Sequence, residues 1–181
     1  FQYVESVRET FQRQVRSTQA IRHRERAGIA AEWLYECEDH DLALGLAVDA
    51  HRFRLAERIC RRLIVSRGDV RTTEQFVRHL RRVPHDILPR FPVLAFITGM
   101  VYAGNPATRA AAPALLEHAA AHALDHLDEL SPREQFYHHV GREVSLRYLG
   151  RGDEAGRAAL AALDHLESMS LKERDALGEL E

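Results

Sequence analysis

At 181 residues, 45% of them apolar, with a formal net charge of −2, the chain can bury a real core as one domain or as a run of repeats. That balance excludes a nucleic-acid binder recognisable by overall charge, and no window approaches the roughly 18 apolar residues of a membrane span. Phe1-Gln-Tyr-Val-Glu is no basic-then-apolar leader, and the missing initiator Met points to a piece of a longer protein.

Val4, Val7, Phe11 and Val15 recur at three- and four-residue spacing, which predicts an amphipathic helix over 3–19 packed on something N-terminal. A second helix is expected from Ile21 to Cys37, burying Ala27, Ala30, Ala31, Trp33 and Leu34. Cys37 and Cys60 are the only cysteines, and both stand among apolar neighbours. They read as buried small hydrophobes rather than a disulfide or a zinc pair, and a reducing cytoplasm is the plain location. Glu38-Asp39-His40-Asp41 predicts a turn that caps the next helix. Short helices over 41–50 and 53–66 follow, the second stopped at Arg67-Gly68. The Leu-Ala pairs Leu42-Ala43 and Leu55-Ala56 open these two helices. Small residues at that spacing let antiparallel helices approach closely, which is the unit of an α-solenoid.

Thr72-Thr73-Glu74 offers an N-cap to a helix carrying Phe76, Val77, Leu80 and Val83. Pro84, Pro89 and Pro92 forbid its continuation and impose a bent link. Phe91 to Ala103 is the most apolar stretch and reads as a central helix, ended by Gly104-Asn105-Pro106. An Ala-rich helix is expected from Thr108 to Leu130, with Leu115, Leu116, Ala119, Ala123, Leu124 and Leu127 in one stripe. Ser131-Pro132-Arg133-Glu134 starts a helix that runs to Leu149 on Phe136, Val140, Val144 and Tyr148. A turn at 150–154, a helix over 155–166 and a last helical piece over 171–180 complete the pattern, and no strand is expected. Tyr148 to Leu160 resembles the inter-helix turn of a tetratricopeptide repeat, and Val101-Tyr-Ala-Gly104 has the same aromatic-then-glycine helix end. The fold class expected is all-α, with antiparallel helix pairs stacked as a tetratricopeptide-like α-solenoid.

The chemistry-bearing residues are sparse. His118, His122 and His126 lie one helical turn apart, with His138-His139 on the next helix, and two such imidazoles can share a zinc ion. No His-Glu-x-x-His accompanies them, so the row reads as a wet helix face and no metal is expected. Residues 52–90 hold eleven Arg against four acids, a stretch able to dock an acidic surface or a phosphorylated ligand. An ordinary solvated face with Arg stems covering apolar surface is the favoured reading. Serines sit in no nucleophile elbow and glycines form no phosphate loop, so no enzyme is expected.

Three stretches in order resemble one family, the MalT-like, LuxR-type, ATP-dependent transcription regulators of the STAND class. Phe1 to Glu9 resembles the end of the winged-helix segment that follows the family's ATPase core. Arg26 to Glu36, with Ala30-Ala31-Glu32-Trp33-Leu34, resembles the helix before the first helical pair, and Asp41 to Leu63 resembles that pair. Ser66-Arg-Gly-Asp, Phe76 to Pro84 and Pro89-Arg-Phe-Pro-Val-Leu94 are similar to the run that follows. The His-Pro pair often found at the first junction is replaced here by Gln2-Tyr3-Val4. The resemblance divides the chain into residues 1–20, the end of a winged-helix or linker helix, 21–105, the first helical repeats, and 106–181, further repeats.

What the resemblance implies is a non-catalytic sensor and interaction region, coupling an inducer or protein partner to an ATP-binding switch and a DNA-binding domain outside these residues. Its partners are those domains, an inducer or a second copy as a homodimer. A stand-alone repeat adaptor that binds a peptide or protein is the alternative. A ligand site is expected on the concave side of helices 91–103 and 133–149 and the Arg-rich region 53–82, with Arg78, Tyr102, Tyr137 and Arg142 as contacts.

Overall fold

The computed structural model describes residues 2–67, 73–125 and 127–178. Side-chain packing at Val4, Val7, Phe11 and Val15, the Gly68 stop and His126 lie outside what is described. Every described element is helical: α1 Gln2–Glu36, α2 His40–Asp49, α3 Phe53–Arg67, α4 Glu74–Leu80, α5 Pro92–Ala103, α6 Ala112–His122, α7 Pro132–Tyr148, α8 Gly152–Ser168 and α9 Leu171–Gly178. Single 3-10 turns at Leu88–Arg90, Arg109–Ala111 and Leu127–Glu129 fill the links. Neighbours in sequence pack on one another, α1 on α2, α2 on α3, α5 on α6, α6 on α7 and α7 on α8, while α3 also reaches α5 and α7.

Gln2–Glu36 form one helix where two were expected. Nothing between Tyr3 and Ala27 is Gly or Pro, so no residue stops the backbone at position 20. Trp33 is 65% exposed, contrary to expectation, and Cys37 is exposed in the turn beyond the helix. Ala27, Ala31 and Leu34 follow the four-then-three spacing of the face that meets α2. Trp33, two positions beyond Ala31, points about 200° away from it. Cys60 is fully buried, and burial pushes its thiol pKa up, as befits a packed side chain.

Local chemistry explains most boundaries. Asp39 accepts from the Leu42 N–H, and Thr73 accepts from the Phe76 N–H at 3.0 Å, so α2 and α4 start where a side-chain oxygen meets an unpaired amide. Glu38 and His51 take positive φ, 61° and 58°, which lets the chain reverse tightly on either side of α2. Two close approaches require glycine. A Cβ at Gly45 on α2 would stand 2.6 Å from the His79 ring on α4, and one at Gly99 on α5 would stand 2.8 Å from Leu116 on α6.

Two further expectations are corrected. The Ala-rich helix α6 ends at His122, not Leu130, because its last carbonyls find partners on another helix: Ala120 accepts from Arg142 Nε at 3.3 Å and Ala123 from His138 Nδ1 at 2.6 Å, both on α7. On α7 the buried positions are Ser145 and Leu146. The anticipated stripe is half-buried at Phe136, Val140 and Val144, and Tyr148 is exposed. A helix packed between α6 and α8 is shielded on two sides, so no single stripe describes it. The main core runs through α1 to α6, from Ala31 to Leu115, and a smaller cluster of Ala120, Leu146, Ala155 and Ala158 joins α6, α7 and α8. Arg151 ties the same three-helix end from outside, bonding Glu154 beside it and Glu117 of α6 at 2.6 Å.

Candidate functional site

Where α3 meets α5, α6 and α7, an open cleft of about 510 Å³ is lined by Arg54, Glu57, Arg58 and Arg61 of α3 and by Arg90 of the link. His122, Asp125 and Glu129 close the side after α6, and His138 of α7 stands at the far wall. Arg61, Pro92 and His138 also border a small apolar pit of about 30 Å³ formed with Ile64, Val93, Phe96, Ala119, Ala123 and Gly141. The cleft is thus a charged mouth with a greasy recess in its floor. Residues of the 91–103 and 133–149 segments and of the Arg-rich 53–82 region contribute to its walls.

Several groups in the cleft are already engaged. Glu57 accepts from the Val93 N–H at 2.9 Å, and burial still raises its pKa. Asp125 pairs with His122 Nδ1 at 2.8 Å, and Arg58 lies over the Tyr35 ring at 4.7 Å. Among the described residues none of Arg54, Arg58, Arg61 and Arg90 makes an ion pair. Two residues that line both the cleft and the pit each hold a side-chain atom buried without a hydrogen-bond partner, Arg61 Nε and His138 Nε2. A buried polar atom left in this way costs roughly 1–3 kcal/mol unless something else bonds it.

The tautomer of His138 follows from its one bond. A carbonyl only accepts, so Nδ1 carries the proton it gives to Ala123 O, and Nε2 presents a lone pair. Burial lowers the His138 pKa by more than its bond to Ala123 raises it, and the nearby Arg61 charge lowers it further.

Of the four contacts anticipated from the sequence, Tyr137 lines the pit. Tyr102 is buried, 4% exposed, with its hydroxyl 3.4 Å from His85 Nε2. Arg78 stands on the surface in an i, i+4 pair with Glu74 at 3.5 Å, and Arg142 spends its Nε on the end of α6. Tyr102, Arg78 and Arg142 are not among the residues that line this cleft or the pit. In this structure the three contribute to packing, a surface pair and a helix end. The His118 and His122 rings do approach, with centroids 4.4 Å apart, but among the described residues no three His, Cys, Asp or Glu converge as a metal would need. Arg61, Glu57 and Gly141 were not singled out beforehand. Arg61 is one of eleven arginines in its stretch, and only its place on the inner face of α3 distinguishes it.

No protein-family model, no curated protein and no solved structure matches the chain.

Proposed function

We propose that the chain is a non-catalytic sensor and interaction region of a MalT-like, LuxR-type bacterial transcription regulator, its helix pairs stacked as a tetratricopeptide-like α-solenoid in the cytoplasm. The observation that carries this reading is the cleft, whose walls come from α3, the entry to α5, the end of α6 and α7. A ligand held there touches elements far apart in sequence. It therefore binds one arrangement of the helix pairs better than another and shifts the balance between them. In this reading ATP binds and DNA is contacted through domains outside these residues, and the partners are those domains, the inducer or a second copy.

A thermal-shift panel of sugars, amino acids, nucleotides and organic acids tests the sensor role. A ligand at about 100 times its dissociation constant adds ~2.7 kcal/mol, a shift readily measured. Stabilisation by one class supports a sensor; indifference to every class removes the sensing half of the proposal.

One observation favours the stand-alone adaptor instead. Ile29 and Trp33 lie one turn apart on α1, 69% and 65% exposed, and offer an apolar surface to a protein partner. The flanking sequence separates the two readings. A P-loop upstream and a helix-turn-helix downstream support the regulator, and flanks lacking both support the adaptor.

A further inference from the structure

We propose that the cleft binds a small zwitterion with an apolar side chain, an α-amino acid or a short peptide. Its carboxylate lies on Arg54, Arg58 and Arg90 and its ammonium beside Asp125 and Glu129. This rests on reading the cleft as a ligand site, and it names the ligand class from how charge is divided between the two walls.

The charges of the cleft nearly balance, but they stand apart. Four arginines line it with three carboxylates, and all four come from α3 and the link before α5. Asp125 and Glu129 come from the stretch after α6. Glu57 shares the arginine wall, but its carboxylate is turned to the Val93 N–H of α5. Such a balance gives a simple anion or a simple cation little net attraction. A molecule that carries both charges finds a counter-charge on either side.

The groups assigned to the ligand are open to solvent: Arg54, Arg58 and Arg90 are exposed, as are Asp125 and Glu129. Arg54 and Arg58 lie one turn apart on α3, where like charges repel, and among the described residues none of the cleft arginines makes an ion pair. A carboxylate shared between them relieves that repulsion. Arg58 is stacked over the Tyr35 ring at 4.7 Å, which fixes its plane and leaves its N–H edge for a carboxylate. On the other wall Asp125 gives one oxygen, Oδ2, to His122 Nδ1. An ionised carboxylate has lone pairs for more than one donor, so an ammonium, which only donates, can join it.

Volume and lining set the remainder. At about 510 Å³ the cleft lies in the range of roughly 300–1,000 Å³ usual for small-molecule sites. Phe91, Pro92 and Leu130 are its apolar lining, and an aliphatic side chain laid on them leaves water. A phosphate, which carries only negative charge, gains from one wall and is repelled by the other.

The test is calorimetric titration of the folded chain with leucine, leucyl-leucine, N-acetylleucine, leucinamide and inorganic phosphate. Leucine or leucyl-leucine is expected to bind best, and the tighter of the two identifies a free amino acid or a peptide as the source. N-acetylleucine lacks the ammonium and leucinamide lacks the carboxylate, so each should be weaker by about tenfold or more. Replacing Arg54→Gln together with Arg90→Gln should weaken the better zwitterion about tenfold or more and leave leucinamide no weaker. Replacing Asp125→Asn together with Glu129→Gln should weaken it likewise and leave N-acetylleucine no weaker; a folding defect would affect every compound. N-acetylleucine, leucinamide or phosphate binding as tightly as the better zwitterion, or an arginine variant that binds it as before, overturns the proposal. If a sugar binds instead, unaffected by either pair of substitutions, the zwitterion falls and the sensor stands. If no compound of any class binds, both fall and the adaptor remains.

Discussion

The Glu57 carboxylate on α3 accepts the Val93 N–H at 2.9 Å and so closes the first turn of α5 across 36 residues of sequence. Phe91, the local N-cap residue, makes no side-chain bond to that turn, and a group from another helix supplies the missing acceptor.

Glu57 is held in its site at a cost, because burial raises its pKa despite the backbone bond and the nearby Arg61 charge. An acid whose folded pKa is raised loses stability as pH rises through that value. Glu57→Gln keeps an acceptor for Val93 and removes the buried charge, so its stability at neutral pH should equal or exceed that of the parent. Glu57→Ala, which removes the acceptor, should lose about 1 kcal/mol. Urea melts of both variants at neutral pH check the pair.

Gly99 and Gly141 should respond oppositely to alanine. At Gly99 the new methyl meets Leu116 at 2.8 and 2.9 Å and Leu115 at 3.3 Å, so α5 and α6 must separate, at about 1–3 kcal/mol. At Gly141 the neighbour is 3.8 Å away, and the gain in helix propensity, up to ~1 kcal/mol, should show as added stability. Thermal melts of the two variants give the comparison.

Ser131 starts α7 with a reciprocal pair: its Oγ accepts from the Glu134 N–H at 3.4 Å, and the Glu134 carboxylate accepts from the Ser131 N–H at 3.0 Å. Ser131→Ala should destabilise by about 1 kcal/mol, lowering Tm by roughly 2–4 °C for a chain of this size. Calorimetry reads it directly.

Four histidines, His79, His118, His138 and His139, have pKa values below the ordinary 6.5, with burial the largest cause in each. The unfolded chain binds protons there more readily than the folded one. Their contribution is therefore complete above about pH 6.5 and is lost as pH falls through the depressed values. Urea midpoints should decline between about pH 7 and pH 5, and His138→Gln should flatten part of that decline. A midpoint constant over that range would contradict the assignment.

The sequence by itself determined the helical class of every described element and most of the places where elements begin. Thr73, Ser131 and Pro92 act on amides within a few residues, and such short-range chemistry is the same in any fold. Tertiary structure decided the rest. It chose which turn of α6 would be the last, by bringing Arg142 and His138 to free carbonyls, and it left Trp33 in solvent because α2 covers only the Ala27, Ala31 and Leu34 face. Above all it selected Arg61 from a run of arginines and turned it, with His138, toward one cleft. Burial and juxtaposition depend on helices meeting across more than 70 residues, and no local pattern in the chain encodes that distance.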